Sequence, residues 1–264
     1  MKMRTKLLAH VLVAVCTCFS ASTWAQSAKA QALPEVSNDW RYIVAPYLWL
    51  TNINGSVYYG GSEITSSFIS AGNVLSHLNI GGMIELEAHK GDFGISADLM
   101  YATLSNTTST PLGPRVSIDA NTTVTQGIYT VAATYTVAKS SSLYADMLLG
   151  ARIVSLGSTT NFSLNGNPPL SMKAATNTTI TDPVIGFKGR ARISDSDWFV
   201  PFYLDIGGGG STEVTTQAFL GLGRAFDWGD AVLGVKNLYF QQRNQGATTN
   251  MDLFGLALGV AFKF

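Results

Sequence analysis

Charged side chains recur at every second position in several stretches of the chain. Glu85, Glu87 and His89 alternate with apolar residues, and Lys188 and Arg190 do the same further along. Successive side chains of a β-strand point to opposite faces, so this spacing collects carboxylates and cations on one face and leaves the other apolar. Such a face suits either a network of ion pairs or proton transfer by a carboxylate or an imidazole. We expect structural ion pairs, because both signs of charge share the face.

The histidines give little support to a catalytic role. Apart from His10 near the N-terminus, the chain has only His77 and His89. Ser76 precedes His77, but adjacent residues on a strand point to opposite faces, so the two are not a ready-made base and nucleophile. His89 lies beside a tight turn and is predicted to be a rim residue. We therefore predict no enzyme activity, no catalytic residue, no metal site and no cofactor.

The last stretch, residues 251–264, indicates what kind of sheet carries these faces. One of its faces holds bulky apolar residues up to Phe264, and the other holds glycine and alanine, with Lys263 at the rim. A soluble antiparallel sheet usually turns a polar face to water. Bulk on one face, small residues on the other and an aromatic C-terminus are typical of a transmembrane β-barrel, whose outer face contacts lipid.

The whole pattern predicts an all-β chain, a closed antiparallel transmembrane β-barrel of about ten strands with both termini in the periplasm. The predicted strands are residues 40–50, 80–89, 93–104, 122–137, 143–156, 178–193, 198–207, 211–226, 231–243 and 251–264. Short turns alternate with longer polar loops at 51–79, 105–120, 159–177 and 244–250, and long loops belong outside the cell. Residues 66–78 of the first loop are predicted to form a short amphipathic helix. Aromatic residues near the short turns suit an interfacial girdle: Trp40, Trp198, Trp228 and Phe264.

In such a barrel the charged faces must point inward. A charge that faces lipid near the midplane costs about 2 to 4 kcal/mol for arginine or lysine. A barrel of about ten strands is narrow, so acids and bases across its lumen should pair. The predicted lumen-facing ionic network is Glu85, Glu87, Asp98, Asp146, Arg152, Asp182, Lys188, Arg190, Asp205 and Lys236.

The N-terminal segment has the residue pattern of an export signal. Residues 7–19 are apolar, follow three basic residues and are too short to span a bilayer, so residues 1–25 are predicted to be a cleaved signal peptide. Cleavage after Ala25 is favoured, although positions after Ala30 and Ala32 also fit. Residues 26–39 form a periplasmic lead-in and residues 40–264 the barrel. Both cysteines lie within the signal; Val15 is bulkier than the residue that usually precedes a lipidated cysteine, which disfavours lipidation of Cys16.

Charge excludes one class of partner. The formal net charge is +0 and only 13% of residues are charged. Binding to phosphate backbones needs a concentrated basic surface, so nucleic acid is not an expected partner. The expected partner is the lipid of the bacterial outer membrane; the oligomeric state is left open.

Several segments resemble those of small proteobacterial outer-membrane β-barrel proteins. They are Pro46-Tyr47-Leu48-Trp49-Leu50, Glu87-Ala88-His89-Lys90-Gly91, Asp98-Leu99-Met100-Tyr101, Gly150-Ala151-Arg152, Asp182-Pro183-Val184-Ile185-Gly186 and Val260-Ala261-Phe262-Lys263-Phe264. The resemblance implies an outer-membrane location and carries no agreed substrate. It also implies that Phe262 and Phe264 form an assembly signal read by the barrel-assembly machinery.

Three functions are compatible with these features. The first is a structural barrel or a narrow pore for small solutes, because mixed charges neutralise one another in a narrow lumen and wide channels need about 16 to 18 strands. The second is a surface enzyme acting on lipid or peptide, and the third is recognition through the outer loops. We expect the first.

Overall fold

The computed structural model describes residues 31–113, 116–165, 170–244 and 246–264. Over these residues the chain forms eleven strands and one short helix. In chain order they are β1 (Trp40–Tyr59), β2 (Ser62–Ile69), α1 (Ala71–His77), β3 (Leu78–Lys90), β4 (Phe93–Gly113), β5 (Val116–Lys139), β6 (Leu143–Asn165), β7 (Leu170–Arg192), β8 (Trp198–Gly207), β9 (Val214–Phe226), β10 (Gly229–Asn244) and β11 (Ala247–Lys263). The predicted signal peptide, residues 1–25, lies outside the described residues.

The sheet closes on itself. Its hydrogen-bonded order runs from β11 in sequence down to β3, then to β1, and β11 pairs again with β1. Among the described strands β2 pairs with β1 alone, so ten of the eleven strands form the ring. At the seam, Tyr42 N–H donates to Phe264 O at 2.9 Å and Phe264 N–H donates to Tyr42 O at 3.0 Å. The predicted closed antiparallel barrel of about ten strands is confirmed.

The start of β1 and the end of β11 lie at one end of the barrel, together with the short turns. We call it the periplasmic end, because short turns of outer-membrane barrels face the periplasm. Aromatic rings gather there: Trp228 stacks on Phe226 at 5.5 Å and lies 6.0 Å from Phe262. Trp40 stacks on Tyr42 at 5.9 Å. These rings, of which Trp40, Tyr42 and Trp228 are exposed, have the position of an interfacial girdle.

Apolar side chains cover the outer wall. Leu48, Leu149 and Leu258 are 66%, 62% and 56% exposed, while Trp49, next to Leu48, is buried in the lumen. In water such a surface would be a large apolar patch, whereas in a bilayer lipid covers it. Among the described residues, no helix is long and apolar enough to cross a membrane.

The long polar segments predicted as loops are mostly strand. β4 to β7 continue beyond the apolar belt as a four-stranded sheet, here called the extracellular sheet, of residues 105–113, 116–126, 156–165 and 170–180. Thr122 Oγ1 lies 3.0 Å from Thr160 Oγ1, and Asn121 Nδ2 donates to Thr107 Oγ1 at 2.9 Å. The loop prediction was wrong there because polarity alone does not exclude a strand: threonine favours extended backbone, and neighbouring strands satisfy its N–H and C=O groups.

The first external connection contains β2 and α1. Residues 66–69 were predicted as helix, but they are strand residues that pair with β1, with Ser67 opposite Gly55. The helix begins after Ser70, whose hydroxyl accepts a hydrogen bond from Asn73 N–H at 3.3 Å. This cap stops the helix from extending toward residue 66, because it satisfies a free N–H of the first turn.

Candidate functional site

The lumen holds the predicted ionic residues. All ten point inward, and nine of them have side chains at most 13% exposed. Glu85 is the exception, with 37% of its side chain exposed. The structure brings nine of the ten into four clusters and leaves Asp182 apart.

The first cluster is built on Arg152 and Asp205, which are both almost fully buried. The Arg152 guanidinium bonds the Asp205 carboxylate, and it also donates to Thr215 Oγ1 at 2.9 Å and to Gln217 Oε1 at 3.2 Å. Tyr203 O–H donates to Asp205 Oδ2 at 2.5 Å. Because each charge has several partners, the pair is held in one geometry.

The second cluster joins opposite walls of the barrel. Lys236 Nζ on β10 donates to Asp98 Oδ2 on β4 at 2.6 Å. Tyr47 O–H donates to Asp98 Oδ1 at 2.6 Å and accepts from Lys236 at 2.8 Å. Gln217 Nε2 donates to Asp98 at 3.2 Å, and since its Oε1 accepts from Arg152, this amide links the first two clusters.

The third cluster contains more carboxylates than cations. Lys188 Nζ donates to Glu85 Oε1 at 2.5 Å and to Glu87 Oε1 at 2.7 Å. Both acids lie on β3 two residues apart, as the alternation predicts, and β7 supplies the lysine from across the lumen. One ammonium group therefore serves two carboxylates.

His89 extends this cluster toward the periplasmic end. Its Nε2 lies 3.2 Å from Glu87 Oε2 and 3.8 Å from Asp146 Oδ2, and the residue is 2% exposed. The predicted rim position was therefore wrong. The ring is buried because it lies over Gly94, where a Cβ would come within 2.5 Å of His89 Nδ1. Asp146 also accepts from Tyr144 O–H at 3.0 Å.

The fourth cluster contains a residue that sequence reasoning missed. The fully buried Asp230 bonds the Arg190 guanidinium and accepts from Lys263 Nζ at 2.7 Å. Asp230 was not included in the predicted network because the predicted strand began at residue 231 and left Asp230 in the preceding turn. The sequence does contain evidence for it: Asp230 lies an even number of residues before Lys236, so the two side chains share the inner face of one strand.

Asp182 is buried in the lumen but belongs to no ion pair that the structure describes, so its assignment to the ionic network was wrong. Its Oδ1 accepts from the backbone N–H groups of Ser211 and Thr212 at 2.8 and 2.9 Å, and its Oδ2 accepts from Thr212 Oγ1 at 2.9 Å. Asp182 thus anchors the short connection between β8 and β9. Its partners were not visible in sequence because they come from a connection 30 residues away.

An apolar layer lies directly on the outer side of the charged clusters. On several of the contributing strands an apolar residue is two positions beyond a polar one, as with Asp98 and Met100 or Lys236 and Leu238. Its buried members are Trp49, Met100, Ile128, Val154, Ile180, Leu238, Phe240, Leu253 and Ala257. Side chains from opposite walls meet here, so the layer closes the lumen.

Part of the lead-in closes the other end. Residues 31–39 have no regular secondary structure, yet Ala32 is buried against Phe199 and Ala225. Lys263 Nζ donates to Gln31 O at 2.9 Å, and Arg41 donates to a backbone carbonyl of the same segment at 2.7 Å. This segment therefore lies in the periplasmic mouth of the barrel.

A cavity of about 150 Å³ lies between the two closures. Tyr47, which packs against the apolar layer, lines its outer side, and Val232, which packs against the Ala32 cluster, lines its periplasmic side. We call it the lumenal cavity.

The remaining candidate pair, Ser76 and His77, lies outside the barrel at the end of α1. Ser76 Oγ is 3.0 Å from His77 Nδ1, so the expectation that they point apart was wrong, because they belong to a helix. His77 Nδ1 also lies 2.8 Å from Asn73 O. A carbonyl oxygen only accepts, so Nδ1 carries the proton in this contact and is not free to take one from Ser76.

Comparison with known proteins supports the fold. No family model matches the chain, and no curated protein matches it in sequence. The chain is similar in structure to the outer-membrane protease OmpT of Escherichia coli, with 10% identity, a TM-score of 0.51, and coverage of 88% of this chain and 99% of that one. The translocator domain of autotransporter NalP from Neisseria meningitidis has 14% identity, a TM-score of 0.42 and coverage of 99% and 96%.

The likeness to OmpT shows the fold alone, and the likeness to NalP is too loose to add to it. Together with the closed sheet and the apolar outer wall, the likeness to OmpT shows that the chain has the fold of an outer-membrane β-barrel. The outer-membrane location predicted from the sequence agrees with this class.

Proposed function

We propose that this chain is a non-enzymatic outer-membrane barrel with a structural role, whose lumen is closed in its resting form. The apolar layer is the observation that carries the proposal. Its nine buried residues come from strands all around the ring, including β1, β4, β6, β7 and β10. An ion pays a large desolvation cost to cross such a layer, because the indole N–H of Trp49 is the only strong hydrogen-bonding side-chain group among these nine residues.

Passage of small solutes, the other part of the sequence-based hypothesis, needs a rearrangement of this layer. The lumenal cavity and the exposed Glu85 side chain would then provide a polar path below it. An enzyme role is not proposed, because the His77 nitrogen that faces Ser76 is the protonated one, so no base is directed at the Ser76 hydroxyl. The proposal includes two partners that are expected of a barrel of this class. The outer wall contacts outer-membrane lipid, and Phe262 and Phe264 are recognised by the barrel-assembly machinery during insertion.

Recognition at the cell surface is a second candidate, favoured by the extracellular sheet. Its inner face is apolar at the tip: Ile118 pairs with Leu164, which pairs with Leu170, and Phe162 pairs with Met172. Leu170 and Met172 are 64% and 65% exposed. Exposed apolar side chains on a polar extracellular sheet are a common feature of interaction surfaces.

Planar-bilayer recording of the purified full chain tests the closed lumen. We expect no steady open-porin current from the wild type and a measurable current from the Trp49→Ala/Phe240→Ala variant, which thins the apolar layer. Leu48→Ala is the matched control, since Leu48 is adjacent in sequence but faces lipid. A large steady current from the wild type would overturn the closed lumen, and a small one abolished by neutralising Asp98 or Arg190 would favour a narrow pore.

A further inference from the structure

A second cavity, of about 510 Å³, lies outside the lumen at the extracellular end of the barrel. We call it the outer cleft. Its lining comes from β1, β2, β10 and β11, and it shares no lining residue with the lumenal cavity. Its volume is within the usual range of small-ligand sites, about 300 to 1,000 Å³.

Strand pairing places the residues of the outer cleft in two rows. In the first row, Phe68 on β2 lies opposite Asn54 on β1. Asp252 lies on the other side of Asn54, and Tyr239 lies beyond Asp252. Neighbouring strands are about 4.8 Å apart, so this row of four strands spans about 14 Å. The second row, nearer the outer ends of the strands, is Ser66, Ser56 and Asn250.

Both rows face away from the lumen. Asp252 is followed by Leu253, and Tyr239 is preceded by Leu238. Both leucines belong to the apolar layer inside the barrel, and adjacent residues of a strand point to opposite faces. On the outer face, Phe254 comes next after Asp252 toward the periplasm and is 47% exposed. The outer cleft therefore begins where the apolar outer wall ends, at the level of the polar headgroups of the outer leaflet.

Polar side chains of the cleft lack partners that their neighbours on β1 have. Asn52 Nδ2 donates to a backbone carbonyl at 3.2 Å, and Tyr58 O–H donates to Glu63 Oε2 at 3.1 Å. Asn54 and Ser56 lie between these two residues on the same face, and their side chains have no hydrogen-bond partner within the described residues. Their amide and hydroxyl groups are therefore available to a ligand.

Two groups on β11 add further acceptors. Asn250 Oδ1 is buried and has no hydrogen-bond partner in the part of the chain that the structure describes. A half-turn of the Asn250 amide would present this oxygen to the cleft, which the residue lines. Asp252 Oδ1 accepts from Asn237 Nδ2 at 2.5 Å, so its second oxygen is left to accept from a ligand.

This set of groups suits a ligand that carries many hydroxyl groups. Amide and hydroxyl side chains both donate to and accept from a hydroxyl group, and a carboxylate accepts from it. The rings of Phe68 and Tyr239 lie at the two ends of the first row and offer apolar faces. Asp252 is the one charged residue among the described lining residues, so an acidic ligand would meet a carboxylate and no cation. An ammonium ion would match Asp252 and leave the other polar groups without partners.

We propose that the outer cleft binds a neutral saccharide, with its hydroxyl groups on Asn54, Ser56 and Asp252 and a sugar ring against Phe68. This activity goes beyond the structural role and does not depend on a closed lumen. The saccharide is either free in the medium or the headgroup of an outer-leaflet glycolipid, and the recognition chemistry is the same for both.

The test uses the full chain refolded into phosphatidylcholine nanodiscs. The first probe is an array of neutral oligosaccharides of glucose, galactose and mannose, with sialylated and sulfated members as acidic probes. The second is isothermal titration calorimetry with the neutral oligosaccharide that the array retains best. We expect retention on neutral members and saturable binding in solution. Phe68→Ala and Asn54→Ala should each weaken binding about tenfold, as expected for the loss of one contact of about 1.4 kcal/mol.

Met172→Ala and Asn161→Ala are the matched controls. Phe68 and Met172 are both 65% exposed, and Asn54 and Asn161 are both exposed strand asparagines. Met172 and Asn161 lie on the extracellular sheet and do not line the cleft, so both variants should bind as the wild type does. All four replaced side chains are exposed, so the variants should remain folded, and thermal unfolding in the same nanodiscs checks this.

A second arm separates a free saccharide from a glycolipid headgroup. Digalactosyl diacylglycerol is added to the nanodiscs, and native mass spectrometry counts the glycolipids that the released barrel retains. Binding of the free oligosaccharide supports a soluble ligand. Retention of the glycolipid alone, reduced by Phe68→Ala and not by Met172→Ala, supports a headgroup site.

Three outcomes would overturn the proposal. One is the absence of binding in both arms. Another is wild-type binding by both Phe68→Ala and Asn54→Ala, which would place the saccharide elsewhere. The third is stronger retention on the acidic members of the array than on the neutral ones.

Discussion

The ionic clusters and the apolar layer share one barrel interior and are separated by only two residues along strands such as β4 and β10. In the ionic part, side chains from opposite walls meet as charge pairs with fixed partners, such as Lys236 and Asp98. In the apolar layer, side chains such as Leu238 and Met100 pack by van der Waals contacts, which do not require a fixed direction between partners. Both parts fill the lumen, but they respond differently to the loss of one member. Removal of a charge leaves its partner buried and unpaired, whereas removal of an apolar side chain leaves a void.

Because of this difference, the two regions contribute differently to the stability of the barrel and to its permeability. An ionic cluster with one member removed attracts water and ions, because the remaining charge must be solvated. An apolar layer that loses one side chain remains dry, because a small apolar void has no polar partners for water. The apolar layer is therefore the barrier, and the ionic clusters hold the strands in register below it.

The largest effect is expected from Arg152→Ala. Asp205 would stay buried without its cation, so the free energy of unfolding should fall by about 3 to 5 kcal/mol. Denaturant titration of the barrel in lipid vesicles measures this. The control is Arg152→Met/Asp205→Leu, which strands no charge and should cost much less. A loss below about 1 kcal/mol for Arg152→Ala would mean a wet lumen and would remove the contrast between the two regions.

A smaller loss is expected in the apolar layer. Leu238 is fully buried, so Leu238→Ala should cost about 3 kcal/mol, within the usual range for a leucine-to-alanine void. Leu233, on the same strand but 54% exposed to lipid, provides the matched variant. Leu233→Ala should cost less, because lipid chains fill the space. Equal losses at the two positions would show that the layer is not packed.

The smallest of the three losses is expected from Arg190→Ala. Asp230 keeps Lys263 Nζ at 2.7 Å, so the variant loses a charge-assisted hydrogen bond without stranding the acid, at about 2 kcal/mol. Adding Lys263→Met should raise the loss to the level of Arg152→Ala. If Arg190→Ala alone were as costly as Arg152→Ala, Lys263 would not be an effective partner, and the ranking of the clusters would be wrong.

Sequence reasoning reached the fold and the inward faces because both follow from a local rule. Glu85 and Glu87 must share a face in any strand, and a membrane barrel leaves only the lumen for them. The apolar layer was not predicted, because the same local rule assigns a face only where polar and apolar residues alternate. Around Trp49 both faces of β1 are apolar, so alternation does not distinguish the lipid side from the lumen. Asp182 shows a further limit, since its inward direction was predicted but its partners were not.

The sequence by itself determined the class of structure, the number of barrel strands to within one and the side of the wall to which each isolated charge belongs. These depend on a period of two and on the cost of placing charge in lipid, which act on neighbouring residues. Only the tertiary structure decided that Lys188 serves two acids, that Asp230 completes a cluster and that an apolar layer closes the lumen. Such contacts join residues more than 30 positions apart, as Arg190 and Asp230 are, and depend on register and closure of the whole ring, which no local pattern contains.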